Sequence, residues 1–387
     1  MERLEGRLQN YAWGSRHAIA ALQHRDNATG QPEAELWLGA HPSLPSTLTR
    51  PTGPVTLDAA ITERPVHWLG DDVVSRYGPR MPFLVKVLAA EQPLSLQVHP
   101  EPAQAAARWE QGHPAYTDAQ HKPELLVALQ PFDVLCGFRD LGTSAAVLEA
   151  FGLPRLDEPA DLLAAGLLRQ AVQLLMNTSR GDAARLIAAA AAATVPEAFT
   201  ADQDLLKLLA ARYPDDPAVL VALLLNRRLL APGEAIWMPA GNLHAYLHGV
   251  GIEVMASSDN VLRAGLTTKP VDVPEVLQTL RYDVLAEPVL HATTLNQSLV
   301  TWQVPAEEFA LWAMEVKSGQ PAVDLDLPGL KVILSTGRVW AADDDGRVDL
   351  APGQAALARA GAGRCTFGGD GRIFVASTSP AARLVTA

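Results

Sequence analysis

Residues 232–249 read PGEAIWMPAGNLHAYLHG. A Pro-Gly-acid turn leads into a short apolar strand, Pro239 and Gly241 set a second tight turn, and the chain departs again as a strand. Side chains alternate faces along a strand, so His244, Tyr246 and His248 share one side of it. Residues 93–102, PLSLQVHPEP, have the same character. They predict a strand from Leu94 to His99, stopped by Pro100. Leu94, Leu96 and Val98 form its apolar face; Ser95, Gln97 and His99 form the other.

Around these two stretches the texture is that of a β protein with a helical interruption. Residues 1 to about 140 place Pro and Gly between short apolar runs such as PFLVKVLAA and ELLVALQPF. From 144 to 230 the chain is rich in Leu and Ala at helical spacing. Ala164, Leu167, Leu168, Ala171, Leu174 and Leu175 follow a period of about 3.6 residues. Thr143 before an Ala/Leu run and Pro154 after it act as start and stop signals. The β texture returns at 231 and lasts to the end. APGEAIWMPAG at 231–241 aligns without a gap on APGQAALARAG at 351–361, which points to two copies of one β-barrel-like unit. Arg364 stands in the second copy where His244 stands in the first, so a metal site would exist only once. The expected architecture is mainly β with a helical insert. Residues 1–143 together with 231–285 form the site-bearing β domain, 144–230 the insert, and 286–387 a C-terminal β domain without metal.

Hydrophobic residues make up 48% of the 387-residue chain and charged residues 19%, so it can form cores and is not a disordered composition. A formal net charge of −12 argues against nucleic acid and anionic membranes as partners, while leaving room for a locally basic pocket. Cys136 and Cys365 lie far apart and outside any C-x-x-C pair, so neither a disulfide framework nor a thiolate zinc site is expected. The first residues lack the basic-then-apolar pattern of a signal peptide. The oily run ARLIAAAAAATV is too short to span a bilayer. A cytoplasmic monomer is expected.

The turn, strand and histidine of 232–249 resemble the second signature of cupin barrels. The first cupin signature offers two ligands two residues apart on a strand, then a glutamate. Here Gln97 and His99 have that spacing, and Glu124 follows in HKPELLVAL. Pro123 forces Lys122 into an extended conformation, so Lys122 and Glu124 face the same way. Gln97, His99, Glu124 and His244 then form a set of two nitrogens and two oxygens. It suits one Zn²⁺ per chain, or another divalent first-row ion. A neutral glutamine ligand leaves more positive charge on the ion, which favours Lewis-acid work.

The blocks NYAWGS, ELWLGAHPSLPS, PFLVKVLAAEQPLSLQVHP, YTDAQHKPELLVAL and WMPAGNLHAYLHGVGIEVMASSDNVLRAGLTTKPVD, in this order and spacing, resemble the type I phosphomannose isomerases. That resemblance implies two cupin-like (jelly-roll) barrels, an all-α domain, one metal on the four positions named above, and interconversion of mannose 6-phosphate with fructose 6-phosphate. It also implies an active-site arginine at Arg263 and pocket roles for Tyr246, Asp259 and Lys269. Two departures are visible. EPAQ follows QVHP where the family often has a lysine, and AGLTTK replaces AGLTPK; these bear on substrate affinity and on the path of the loop at 269.

An aldose–ketose isomerase needs a base, a stabiliser for an enediolate and an anchor for phosphate. Arg263 offers a bidentate guanidinium; its plainer role would be an ion pair with Asp259. Lys122 can donate to phosphate or to the ring oxygen, against a plain surface role. Glu253, in the apolar run GIEVMA, has a setting that raises a carboxyl pKa and suits proton transfer, or it orients another group. Ser95 and Lys86 are candidate phosphate or hydroxyl contacts, and an inward Lys86 in FLVKVL must be paired. Trp13 walls the sugar or fills core. His41, His113, His121 and His248 are expected to be structural or surface residues. Two other functions fit the same residues less well. Gln97 in place of a histidine argues against a dioxygenase-type metal cupin. Intact ligands with Lys122 and Arg263 argue against a non-catalytic sugar-phosphate-binding cupin.

Overall fold

The computed structural model describes residues 1–50 and 53–378. One strand, His244–Ala256, organises the first half. Its C-terminal part pairs antiparallel with Phe83–Ala90 and Glu124–Ala128, and its N-terminal part with Phe132–Phe138 and, at His244, with Leu96–Val98. Gly249, at φ 140°, lies where the strand passes from one set of partners to the other. A side chain there would meet Phe132, so glycine is required by space as well as by backbone.

The second half repeats this plan. Cys365–Ser377 pairs with Ala310–Val316, Lys331–Ser335, Arg338–Asp343 and Val323–Leu325. The aligned segments 231–241 and 351–361 adopt one structure: strands Ala235–Met238 and Ala355–Ala358, each flanked by glycines with positive φ, at 233 and 241 and at 353 and 361. Arg338–Asp343 and Gly346–Leu350 form a tight hairpin. Their counterparts, Phe132–Phe138 and Leu225–Leu230, also pair antiparallel, but all the helices from Leu141–Ala150 to Ala218–Ala222 lie between them. The helical segment is therefore an insertion at a hairpin turn, and both of its ends leave from neighbouring strands.

Period-two burial explains how the halves join. Phe83, Val85, Val87 and Ala89 pack with Leu125, Val127, Ile252 and Val254 against Leu311, Ala313, Val332, Leu334 and Phe374 of the second half. The alternate residues Leu88 and Ala90 face a separate core inside the first half, with Leu126, Met238 and Tyr246. Both faces of these strands are buried, so they read as continuous apolar runs, and Lys86 belongs to the inward set. Each large apolar side chain sealed there contributes about 1.5–3 kcal/mol.

Several expectations need correction. The strand at 94–99 forms only over Leu96–Val98. Leu96 and Val98 pack in the same core as the insert, with Val219 and Leu220, whereas Leu94 rests on the inner core of the first half. The stretch before 140, expected to be β, also holds short helices such as Leu57–Glu63 and Pro102–Glu110, and the first helix of the insert starts at Leu141, because Asp140 caps it by accepting from the Thr143 N–H at 2.8 Å. Of the expected buried stripe, Leu168, Ala171 and Leu175 are buried, but Ala164, Leu167 and Leu174 are exposed; the chain breaks at Gly166, at φ 78°, and the next helix adds Val172 to its buried face. Leu225–Leu230 lies in the stretch expected to be helical but is a strand, since pairing with Phe132–Phe138 overrides local propensity. Glu2–Glu5 and Thr47–Leu48 join the sheet of the second half, next to Ala355–Ala358. The residue that takes the place of His244 is Cys365 and not Arg364. The turn is one residue longer in the second half (359–364 against 239–243), and Cys365 opposes Leu325 as His244 opposes Gln97.

In the same register Lys331, opposite Ala358, occupies the place that Glu124 takes opposite Met238. Leu, Cys and Lys thus replace Gln, His and Glu. Lys331 is fully buried and donates to the carbonyls of Leu327 and Gly329 at 2.7 and 3.0 Å; burial pushes its pKa down. Lys331→Met keeps the stem but leaves both carbonyls unpaired. We expect a loss of about 1–3 kcal/mol in urea denaturation with no change in metal content; a change in metal content would refute this purely structural role.

Candidate metal centre and substrate cavity

The register places the polar side chains. Gln97 pairs directly with both His244 and Arg263, the latter on strand Leu262–Gly265, so Arg263, Gln97 and His244 form one row across three strands. Residues directly opposite in a sheet share a face. A second row runs Trp37, Lys86, Glu253 across Glu35–Leu38, Phe83–Ala90 and the long strand.

His99, Glu124 and His244 converge, with exposures of 0%, 1% and 0%. Glu124 divides its two oxygens. Oε1 accepts from Lys122 Nζ at 2.8 Å, while Oε2 lies 3.3 Å from His99 Nε2 and 3.2 Å from His244 Nε2. Each imidazole is turned by a backbone carbonyl on its other nitrogen: Asn260 O at 2.8 Å from His99 Nδ1, and Asn242 O at 3.0 Å from His244 Nδ1. A ring that donates from Nδ1 presents a lone pair at Nε2. Burial lowers the His99 pKa to about 4, against the pull of Glu124, so at neutral pH the ring is neutral and, with its one proton on Nδ1, has none on Nε2. Burial opposes the charge on Glu124, yet Lys122 brings it well below the usual carboxylate range. His99 Nε2 and Glu124 Oε2 are consequently buried with no hydrogen-bond partner. Gln97 Nε2 sits 3.2 Å from His244 Nε2, and the reversed amide presents its oxygen to the same point. This donor set, two imidazoles, a carboxylate and an amide, fits a divalent cation of the zinc type.

Gln97 and Glu124 open onto a cavity of about 750 Å³. Every sequence-predicted pocket residue lines it: Trp13, Lys86, Ser95, Lys122, Tyr246, Glu253, Asp259, Arg263 and Lys269. His99 and His244 lie behind its wall. Lys86 Nζ reaches Glu253 Oε2 at 3.2 Å and Glu35 Oε1 at 3.5 Å, and lies over the Trp37 ring at 5.1 Å from its centroid. Glu35 and Glu253 outweigh burial and hold the Lys86 ammonium charged. Tyr246 OH donates to Glu253 Oε1 at 2.9 Å. Burial raises the Glu253 pKa and Lys86 opposes the rise. Asp259 pairs with His41 Nε2 at 3.2 Å and not with Arg263, because the segment carrying Arg263 is a strand and not a helical turn.

The matches to known proteins accord with this geometry. Residues 1–141 match the model of the phosphomannose isomerase type I catalytic domain. The mannose-6-phosphate isomerase of Salmonella typhimurium is 33% identical over 96% of this chain and 98% of its own. The chain belongs to the type I phosphomannose isomerases. Mannose-6-phosphate isomerase 1 of Arabidopsis thaliana is 32% identical over 86% of this chain and 83% of that protein. A crystal structure of a mannose 6-phosphate isomerase bound with zinc and yttrium superposes with a TM-score of 0.88, at 32% identity over 98% of this chain and 100% of that one. The match to the catalytic-domain model stops at residue 141, where the helical insertion begins, so His244 and Arg263 lie beyond that model.

Some site residues escaped sequence reasoning. Glu35 and Trp37 were legible only as a charge inside the apolar run AELWLGA. Asn260 has its side chain on Asp118 O and Gln120 O, at 2.7 and 2.8 Å, and so ties the loop before Lys122 to the carbonyl that turns His99. Arg212 and Tyr213 reach the cavity from the insert, and no local pattern marks them. His121 points away from the cavity, to Glu308 Oε1 at 2.7 Å.

The His99 shift fixes a sign for the metal-free protein. The folded ring resists protonation down to about pH 4, while an unfolded histidine takes up a proton near 6.5. The unfolded state then binds more protons in that window, so stability falls as pH drops through it. Urea denaturation of chelated protein at pH 7 and pH 4.5 should show this loss, and His99→Gln should reduce the slope; an unchanged slope would refute it.

Proposed function

We propose that this protein is a metal-dependent aldose–ketose isomerase interconverting D-mannose 6-phosphate and D-fructose 6-phosphate through an enediolate. One observation carries the reading: the ligand atoms of buried His99, Glu124 and His244 converge, with His99 Nε2 and Glu124 Oε2 left without a hydrogen-bond partner, beside a cavity that several cations and acids line. Family membership supplies the substrate. Zn²⁺ held by Gln97, His99, Glu124 and His244 would act as a Lewis acid on substrate oxygens when bound.

The chain's own residues do the rest. Isomerisation moves a proton between C2 and C1 and another between their oxygens. Glu253 is oriented by Tyr246 and Lys86 to shuttle the carbon-bound proton, and its burial brings it nearer the pKa useful for that work. Lys122, fixed on Glu124, donates to the ring oxygen as the sugar opens. Arg263 places a guanidinium beside Gln97, where it can clamp the enediolate or the phosphate. Ser95 and Lys269 contact phosphate or hydroxyls, Asp259 the hydroxyls, and Trp13 walls the sugar.

In this reading the two halves are cupin-like barrels. The catalytic one comprises 1–143 with 231–285, less the N-terminal strands that join its neighbour. The insert is an all-α domain, and 286–387 a barrel without metal. The protein works as a cytoplasmic monomer on the route to GDP-mannose, without nucleic-acid or membrane partners. Its net charge of −12 disfavours polyanions, and no helix among the described residues is long and apolar enough to cross a membrane.

Purified zinc-loaded protein should convert mannose 6-phosphate to fructose 6-phosphate in a coupled assay, stop after chelation and recover with zinc. Absence of turnover in the loaded protein would overturn the proposal. Arg263→Ala should retain zinc and lose about 10²–10³-fold in kcat; an unaffected kcat would remove Arg263 from the catalytic set.

A further inference from the structure

The acids around the cavity are all engaged. Glu35 and Glu253 share Lys86, Glu124 holds Lys122, and Asp259 holds His41. Three cations lining the cavity, Arg212, Arg263 and Lys269, form no ion pair with any carboxylate among the described residues. Arg263 and Lys269 come from one segment, the strand Leu262–Gly265 and the loop after it. Arg212 comes from the insert, just past the helix Thr200–Ala210, and its side chain is exposed.

The insert is fastened to that segment. Buried Asp216 accepts from the Leu266 N–H at 2.7 Å and, on its other oxygen, from the Ala218 N–H at 2.9 Å. Gly265, at φ 147°, lets the backbones close, since a Cβ there would collide with Ala218, and Leu266 is held at φ 52°. Arg212, four residues before Asp216, is thereby brought to the mouth from which Thr267, Thr268 and Lys269 enter the lining. All three cations line the same cavity without a carboxylate partner among the described residues, so an anion entering it would meet uncompensated positive charge. A phosphate dianion is the one part of the assigned substrate that would draw all three.

We propose that Arg212 is a specificity-determining residue that closes the phosphate subsite from the side of the helical insert, opposite Arg263 and Lys269. The proposal rests on the sugar-phosphate reading for its substrate but not for its anion. Arg212 touches the phosphate and not the reacting carbons, so it acts on binding and leaves the chemical step alone.

The test uses the zinc-loaded full chain. Arg212→Ala should raise the KM for mannose 6-phosphate about tenfold and change kcat by less than about threefold, with Arg212→Lys in between. Calorimetry with inorganic phosphate as the probe should show an affinity loss of similar size. Unchanged thermal stability and zinc content would confirm that the exposed substitution is local. KM and phosphate affinity both within about twofold of the parent would overturn the proposal. If the parent binds phosphate but does not turn over mannose 6-phosphate, the isomerase reading fails while the phosphate comparison still decides the role of Arg212.

Discussion

A carboxylate oxygen and two imidazole nitrogens, all buried, lie within 4.8 Å of one another, and a cation among them would satisfy all three. That constraint at Glu124, His99 and His244 orders much of what surrounds it. The carbonyls of Asn260 and Asn242 turn the rings so that the lone pairs converge. Lys122 neutralises the other oxygen of Glu124, and Pro123 between them keeps both side chains on one face. Asn260, through its contacts with the 118–120 backbone, ties the two ends of this arrangement together.

The second half shows the same scaffold released from the constraint. Where Glu124 would stand, Lys331 supplies its own positive charge and spends its protons on two carbonyls, and Leu325 and Cys365 replace Gln97 and His244. A lysine ammonium inside one unit and a candidate metal centre inside the other are two answers to one geometric problem, the filling of a β structure's polar interior. Large apolar side chains of the two halves pack against one another between them.

The insertion gives the first half what its twin lacks. It enters at a hairpin turn, covers the outer side of Leu96 and Val98 beneath Gln97 and His99, and holds the 265–266 backbone through Asp216. The cavity is thus walled by strands of the first half, by the loop at 267–269 and by the insert together. Its acids are paired, Glu124 with Lys122 and Glu35 and Glu253 with Lys86, while Arg212, Arg263 and Lys269 form no ion pair among the described residues.

The sequence by itself determined the candidate ligands, because alternation along a strand and turns built on Pro and Gly are local rules that put Gln97, His99, Glu124 and His244 on inward faces. It also determined the two copies, the helical interruption and the family, since those live in spacing and composition. Only the tertiary structure decided which strands meet. Pairing between residues far apart in the chain has no local signature, so the strand at 225–230, the crossing of Glu2–Glu5 into the other sheet and the replacement of His244 by Cys365 were all invisible. The same holds for Glu35, His41 and Asn260, whose roles are set by partners on other elements, and for Arg212. Its neighbours in sequence make it an ordinary surface arginine; a hydrogen bond from the Leu266 backbone to Asp216, made across the fold, brings it to the cavity.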